Sequence, residues 1–237
     1  MDIEWLLELA GLRTGYGSSP ILQGIDLAIR PGEVVAVIGR NGVGKTTLMR
    51  CLIGQLRAWA GSIRFRSRDV TGLPPERRAQ SGFGYIPQGR EVFPRMTVEE
   101  NLRVGEMIGA RTQQKRYDLV YDFFPILAER RHQKAGTLSG GQQQQLAIGR
   151  AMVGNPDLLL LDEPSEGVQP SIVEDIARVV QRLNRELGTT VLFVEQNLDM
   201  IVSLAQRCYV MDKGQIVAER QHEELQDREI AKRDLQI

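Results

Sequence analysis

Val34-Val35-Ala36-Val37-Ile38-Gly39-Arg40-Asn41-Gly42-Val43-Gly44-Lys45-Thr46 decides the fold class of this 237-residue chain. The first five residues form an apolar run rich in β-branched side chains, the pattern of a strand buried on both faces of a parallel sheet. The next eight fit G-x-x-x-x-G-K-[ST], and Thr46 to Leu56 reads as the helix that follows. Strand, glycine loop and helix together make an α/β phosphate cradle. Glycines let the backbone wrap closely, its N–H groups point inward, and the helix N-terminus adds a favourable dipole. Gly39, Asn41, Gly42, Val43, Gly44, Thr46 and Thr47 are the candidate cradle residues. Lys45 is placed to reach the β- and γ-phosphates, and the Thr46 hydroxyl to ligate Mg²⁺. A strand-to-helix turn without a ligand needs neither the lysine nor the hydroxyl.

Upstream, Trp5 to Leu12 and Ile21 to Ile29 read as strands separated by a loop at residues 15–20, and Pro31-Gly32-Glu33 as a turn. Downstream, Gly61 to Arg66 and Gly82 to Ile86 read as further strands. From Thr97 to Gly136 the pattern turns helical. Thr97 and Glu100 have capping-box spacing, and Tyr117 to Leu127 carries apolar residues at helical spacing interrupted by Pro125. The α/β pattern then resumes. Gly141 to Val153 is helical, Leu158 to Leu161 and Thr190 to Val194 are buried strands, and Ser171 to Leu187 is an amphipathic helix. Ser171 and Glu174 are expected to cap that helix and Gly188 to stop it. Cys208 to Met211 and Gln215 to Ala218 read as a hairpin around Lys213-Gly214, followed by a short charged surface helix.

Two motifs carry the chemistry beyond the phosphate loop. Asp162-Glu163 closes the buried strand at its C-terminal end, the edge at which open α/β sheets bind ligands. Leu138-Ser139-Gly140-Gly141-Gln142 opens a helix between the phosphate loop and that acidic pair. Its hydroxyl and backbone N–H groups can form a second anion site.

Phosphate loop, LSGGQ and acidic pair, in this order, resemble the ATP-binding cassette (ABC) family. The resemblance runs from Tyr16 to about Val217. It implies a P-loop NTPase with a RecA-like core, an N-terminal antiparallel β subdomain and an inserted helical signature subdomain at about residues 89–155. All of these belong to one ATPase domain spanning 1–237. It also implies roles: Asp162 for Mg²⁺ and Glu163 as general base, with Lys45 and Gln196 completing the catalytic set. Gln88, in Tyr85-Ile86-Pro87-Gln88, joins the Mg²⁺ shell and senses the γ-phosphate. Ser139, Gly140, Gly141 and Gln142 grip ATP bound to an opposite subunit. Tyr16 stands where the family stacks an aromatic on adenine, although a tyrosine at a strand end also serves as packing.

The chain departs from the family pattern twice. Gln169 stands where an aspartate is usual, and Gln196 where a histidine is usual; His132 and His222 lie elsewhere in the sequence. A glutamine amide donates a hydrogen bond to phosphate but carries no positive charge. Gln at the second position resembles the branched-chain amino acid and urea/amide uptake group. The strings Gly39 to Lys45, Gly89 to Pro94 and Glu166 to Ile172 are similar to urea importer ATP-binding subunits. A urea importer ATPase is the reading these strings favour. A branched-chain amino acid importer ATPase is the alternative, and a non-transport ABC ATPase acting on a soluble partner comes third. A small-molecule P-loop kinase would have no use for LSGGQ.

Thirty basic and thirty acidic residues cancel, which removes any general electrostatic case for nucleic acid. Cys51 and Cys208 have neither metal-ligand nor CxxC spacing and read as buried thiols. No apolar run approaches the roughly 18 residues of a membrane helix. The expected location is therefore cytoplasmic, held at the inner face of the membrane by integral permease subunits. The further expected partners are a second ABC ATPase subunit, alike or different, and indirectly a solute-binding protein.

Overall fold

Alternation along β3 (Val34–Ile38) sets the layering, because its side chains point in turn to two separate apolar clusters. Val34, Ala36 and Ile38 face one cluster, and Val35 and Val37 the other. The computed structural model describes residues 4–108 and 116–236. Before β3 come β1 (Leu7–Tyr16) and β2 (Ser19–Ile29), and after it α1 (Lys45–Leu52), β4 (Ala60–Phe65), β5 (Arg68–Asp69), α2 (Pro75–Ser81) and β6 (Phe83–Ile86). Helices α3 (Val98–Ile108), α4 (Tyr117–Phe123), α5 (Pro125–Glu129) and α6 (Gly140–Val153) follow. The chain closes with β7 (Leu158–Asp162), α7 (Pro170–Leu187), β8 (Thr190–Glu195), α8 (Leu198–Leu204), β9 (Arg207–Asp212), β10 (Gln215–Gln221), α9 (His222–Gln226) and α10 (Arg228–Gln236).

The six-stranded sheet has the order β10-β9-β3-β8-β7-β6 and is parallel except for the β9–β10 hairpin. An antiparallel sheet of order β2-β1-β4-β5 packs across one of its faces, with α1 between them. The helices α3 to α8 cover the other face. Because β3, β7 and β8 are adjacent and parallel, the phosphate loop, Asp162-Glu163 and Gln196 all emerge at one sheet edge. That adjacency builds the candidate site.

Several local expectations are corrected. β1 and β2 remain paired as far as Tyr16 and Ser19, so the loop expected at residues 15–20 shrinks to a turn at Gly17-Ser18. Helix α1 ends at Leu52, short of Leu56, and the chain turns at Gly54 with φ 85°. The interruption expected at Pro125 is present: Tyr117 to Leu127 forms two helices broken at Phe124, whose ψ of 76° lies outside the helical region, as the residue before a proline prefers. Ser171 and Glu174 do not cap α7. Pro170 takes the first helical position, Gln169 becomes the N-cap without a side-chain bond, and Ser171 falls inside the helix. The charged tail forms two helices, and it buries Leu225 and Asp234.

Other signals agree with the structure. Thr97 Oγ1 accepts from the Glu100 backbone N–H while Glu100 accepts from the Thr97 N–H. Gly188 ends α7 in the left-handed conformation. Cys51 and Cys208 are buried, and burial raises their thiol pKa values to about 11 and about 12. The expected helical stretch from Thr97 to Gly136 includes residues 109–115, which lie outside the described residues. Among the described residues, no helix is long and apolar enough to cross a membrane.

Candidate functional site

Gly39 leaves β3 with φ 151°, and a Cβ there would stand 2.2 Å from the Met211 carbonyl oxygen. Only glycine lets the loop turn so close to β9. Gly42 and Gly44 follow at φ 84° and 115°, and α1 begins at Lys45. The resulting pocket has a volume of about 290 Å³ and is lined by Asn41, Gly42, Lys45, Thr46, Gln88 and Glu163 among others. Gly44 and Thr47 also line it. The structure thus brings together most of the residues the sequence nominated for phosphate.

Lys45 is 4% exposed. Its Nζ donates to the carbonyl oxygens of Gly39 at 2.8 Å and Arg40 at 3.0 Å, and lies 3.3 Å from Glu163 Oε1. The ammonium is therefore aimed along the loop by backbone and held against one carboxylate. Glu163 follows β7 in the left-handed region, φ 47°, an uncommon conformation for a non-glycine residue. That turn directs its carboxylate back over the pocket. Glu163 Oε1 also accepts from Gln196 Nε2 at 3.0 Å, and the same amide nitrogen donates to Asn41 Oδ1 at 2.6 Å. Gln196 thus ties the end of β8 to both the phosphate loop and the acidic pair. His132 is exposed and His222 bonds the Ala205 carbonyl, so neither histidine shares this network.

Asp162 lies at the end of β7, 1% exposed. Its Oδ1 accepts from the Thr46 hydroxyl at 3.0 Å and its Oδ2 from the Tyr85 hydroxyl at 3.1 Å. Burial raises its pKa, while the two hydroxyl donors act in the opposite direction. A hydroxyl and a carboxylate in contact beside a phosphate cradle form an all-oxygen donor set suited to Mg²⁺. Among the described residues no group of three or more His, Cys, Asp or Glu forms a metal cage. An ion here would therefore share its shell with phosphate.

The other nominated residues lie at the rim of the pocket or outside it. Gln88 is exposed at the pocket rim, where its amide donates to Glu166 Oε2 at 2.7 Å. Tyr16 is 44% exposed at the end of β1, and its hydroxyl accepts from Arg50 at 3.3 Å. Ser139, Gly140, Gly141 and Gln142 do not line the phosphate pocket. Ser139 caps α6, and Gln142 reciprocates through its side chain. Gly141 admits Ile172, whose Cδ1 would be 2.7 Å from an added Cβ; at Gly140 the close neighbour is Arg90 Nη1, at 2.9 Å. Gln169 is exposed and caps α7 through its backbone only.

Three residues were missed by the sequence reading. Tyr85 braces Asp162, as above. Arg90 reaches both Gly140 and the Gly167 carbonyl. Glu195 is 2% exposed, and its carboxylate accepts from the backbone N–H groups of Ser165, Gln196 and Asn197. It locks the loop after β7 to the loop after β8. An acid directly after the apolar run Thr190 to Val194 was the one local signal for Glu195. Nothing local marked Tyr85 or Arg90.

Gln196→Ala removes the amide that bridges Asn41 and Glu163. ATP turnover is expected to fall about tenfold, the scale of one hydrogen bond to a charged group, with the far-ultraviolet circular dichroism unchanged. Unaltered phosphate release from the variant would show that the bridge has no part in turnover.

A family model described as ABC transporter matches residues 22–166. The chain is 44% identical over 213 residues to the Pseudomonas aeruginosa high-affinity branched-chain amino acid transport ATP-binding protein BraG, covering 90% of this chain and 91% of that one. It is 34% identical to the probable branched-chain amino acid transport ATP-binding protein LivF of Archaeoglobus fulgidus, covering 94% and 95%. Among solved structures, the ADP conformation of an ATP-binding cassette of an ABC transporter superposes with a TM-score of 0.83 at 30% identity, covering 96% of this chain and 97% of the other.

Proposed function

The chain belongs to the ABC transporter family and is an ATP-hydrolysing member of it, and on that premise we propose that it powers uptake of branched-chain amino acids through a membrane permease. The observation that carries the solute class is the 44% identity to BraG along nine-tenths of the chain. The urea reading rests on the short strings at residues 39–45, 89–94 and 166–172 and is the second choice. Uptake of labelled leucine and of labelled urea, measured in a strain lacking the gene and in the complemented strain, separates the two. Loss of leucine uptake with urea uptake intact supports the proposal, and the reverse overturns it in favour of urea.

In the proposed mechanism Lys45, the loop N–H groups and the α1 N-terminus hold the β- and γ-phosphates. Asp162, Thr46 and Gln88 would hold Mg²⁺, which would neutralise phosphate charge. Glu163 accepts the proton of the attacking water, and Gln196 fixes the carboxylate's orientation. Phosphoryl transfer depends mainly on such positioning and charge stabilisation. Tyr16 stacks on the adenine. The second anion site at Ser139 to Gln142 lies away from this pocket, which supports its use on ATP held by a second cassette. ATP then favours the closed pair because its γ-phosphate touches both subunits, and hydrolysis removes that bridge. The helical region at about 89–155 transmits the motion to the permease, which keeps the cassette at the inner membrane face. A solute-binding protein delivers substrate from the other side.

A further inference from the structure

Three successive residues after Gln88 have left-handed backbone: Gly89 at φ 79°, Arg90 at 74° and Glu91 at 44°. For the two that carry a Cβ this conformation is uncommon, and such strain gathers at functional sites. It sends two near neighbours in different directions. Gln88 lines the phosphate pocket, whereas Arg90 lies against the start of α6 at Ser139 to Gln142. Its Nη1, Cζ and Nη2 would stand 2.9, 3.3 and 3.3 Å from a Cβ on Gly140, so the planar group covers the first turn of that helix. Its Nη2 donates to the Gly167 carbonyl at 3.2 Å. Among the described residues the rest of the guanidinium has no hydrogen bond and no carboxylate is paired with it. Glu166, one residue before Gly167, accepts from Gln88 instead, at 2.7 Å, and Gln169 in the same loop is neutral. Without a ligand this charge is badly placed, because a helix N-terminus carries partial positive charge and disfavours a cation beside it. An anion seated between the guanidinium and the α6 N–H groups turns both into attractions. The planar fork of an arginine suits phosphate oxygens in particular.

We propose that Arg90 adds a cationic donor to the anion site at Ser139 to Gln142 and contacts the γ-phosphate of ATP held by the opposite cassette. The proposal rests on the paired-cassette reading above. Gln196 brings no positive charge to the γ-phosphate, and Arg90 brings one from across the interface. ADP lacks the phosphate that Arg90 holds, so the contact exists in the ATP-bound pair alone. The bond to Gly167 aims the guanidinium and ties it to the loop that follows Asp162-Glu163.

The test uses the full-length Glu163→Gln chain with magnesium and ATP, alone and with the transporter's other cassette, and follows pairing by sedimentation. Adding Arg90→Ala is expected to raise the dissociation constant of the ATP-bound pair roughly ten- to a hundredfold, the worth of one charge-assisted contact. Arg90→Gln keeps a donor for the Gly167 carbonyl but no charge, and is expected to weaken the pair as Arg90→Ala does. ADP affinity, measured by calorimetry on the monomer, is expected to be unchanged in both variants, because ADP meets only the phosphate loop. γ-Methyl-ATP removes one γ-phosphate charge and is expected to weaken the pair less when Arg90 is already gone, since groups in contact have non-additive effects. A pair as tight without Arg90 overturns the proposal, as does a pair that Arg90→Gln leaves intact. Loss of ADP affinity, or strict additivity with γ-methyl-ATP, overturns it too and leaves Arg90 as a brace for the Gly167 loop. Absence of any ATP-bound pair in the Glu163→Gln chain, alone and with the other cassette, overturns the paired-cassette reading and the proposal with it.

Discussion

Glu163→Gln is expected to lower ATP turnover by about 10²–10⁴-fold while leaving ATP bound, because the amide cannot accept the proton of the attacking water. The shape of the site survives the change. The amide oxygen still accepts from Lys45, which stands 3.3 Å from the native carboxylate, and from Gln196 at 3.0 Å. What disappears is one negative charge beside the phosphates, so ATP is held at least as tightly as in the native chain. With hydrolysis blocked, a γ-phosphate gripped by two cassettes keeps them together. Light scattering with magnesium and ATP is expected to show a doubled mass for the variant and the monomer mass after exchange into ADP. A mass that ignores ATP both for this chain alone and after addition of the transporter's other cassette would overturn the shared-phosphate mechanism, and native turnover would remove Glu163 from the role of base.

The same pair of residues shows which features the sequence made legible. Gly39 to Thr46 and Asp162-Glu163 could be read because their chemistry is local: a few adjacent residues with a strand before them fix both conformation and role. The sheet order was not local. Gln196 reaches Glu163 only because β7 and β8 run side by side with Asp162 opposite Val194. Glu195 spans the loops after the same two strands. Tyr85 meets Asp162 across 77 positions, and Arg90 meets Gly167 across the same separation. No periodicity encodes such meetings. The cap on α7 failed for a different reason. Ser171 and Glu174 have capping spacing, but Pro170 fits the first turn of a helix at no cost in hydrogen bonds, so the helix starts one residue earlier. The solute lies beyond either kind of reading, because no residue of the phosphate pocket has a reason to touch it.

Lys45→Ala is expected to have the other large effect, and its cause can be divided by experiment. Each charge-assisted contact to phosphate is worth about 1.5–3 kcal/mol, so ATP affinity falls roughly ten- to a hundredfold. Loss of a cation aimed at developing charge removes about another 10²–10³-fold from turnover. Calorimetric titration with ATP and phosphate release at saturating ATP measure the two parts separately. Part of any loss could come from the fold, since Lys45 is also the partner of two loop carbonyls and of Glu163. Leaving that carboxylate without its cation is expected to cost about 1–3 kcal/mol of stability. Adding Glu163→Gln removes the orphaned charge, and because the two side chains touch, their effects on stability are not additive. The double variant is therefore expected to melt above Lys45→Ala alone while still binding ATP more weakly than Glu163→Gln alone. Recovery of the ATP affinity of Glu163→Gln along with stability would mean that Lys45 only supports the loop. Stability restored without ATP affinity places the ammonium on the phosphates.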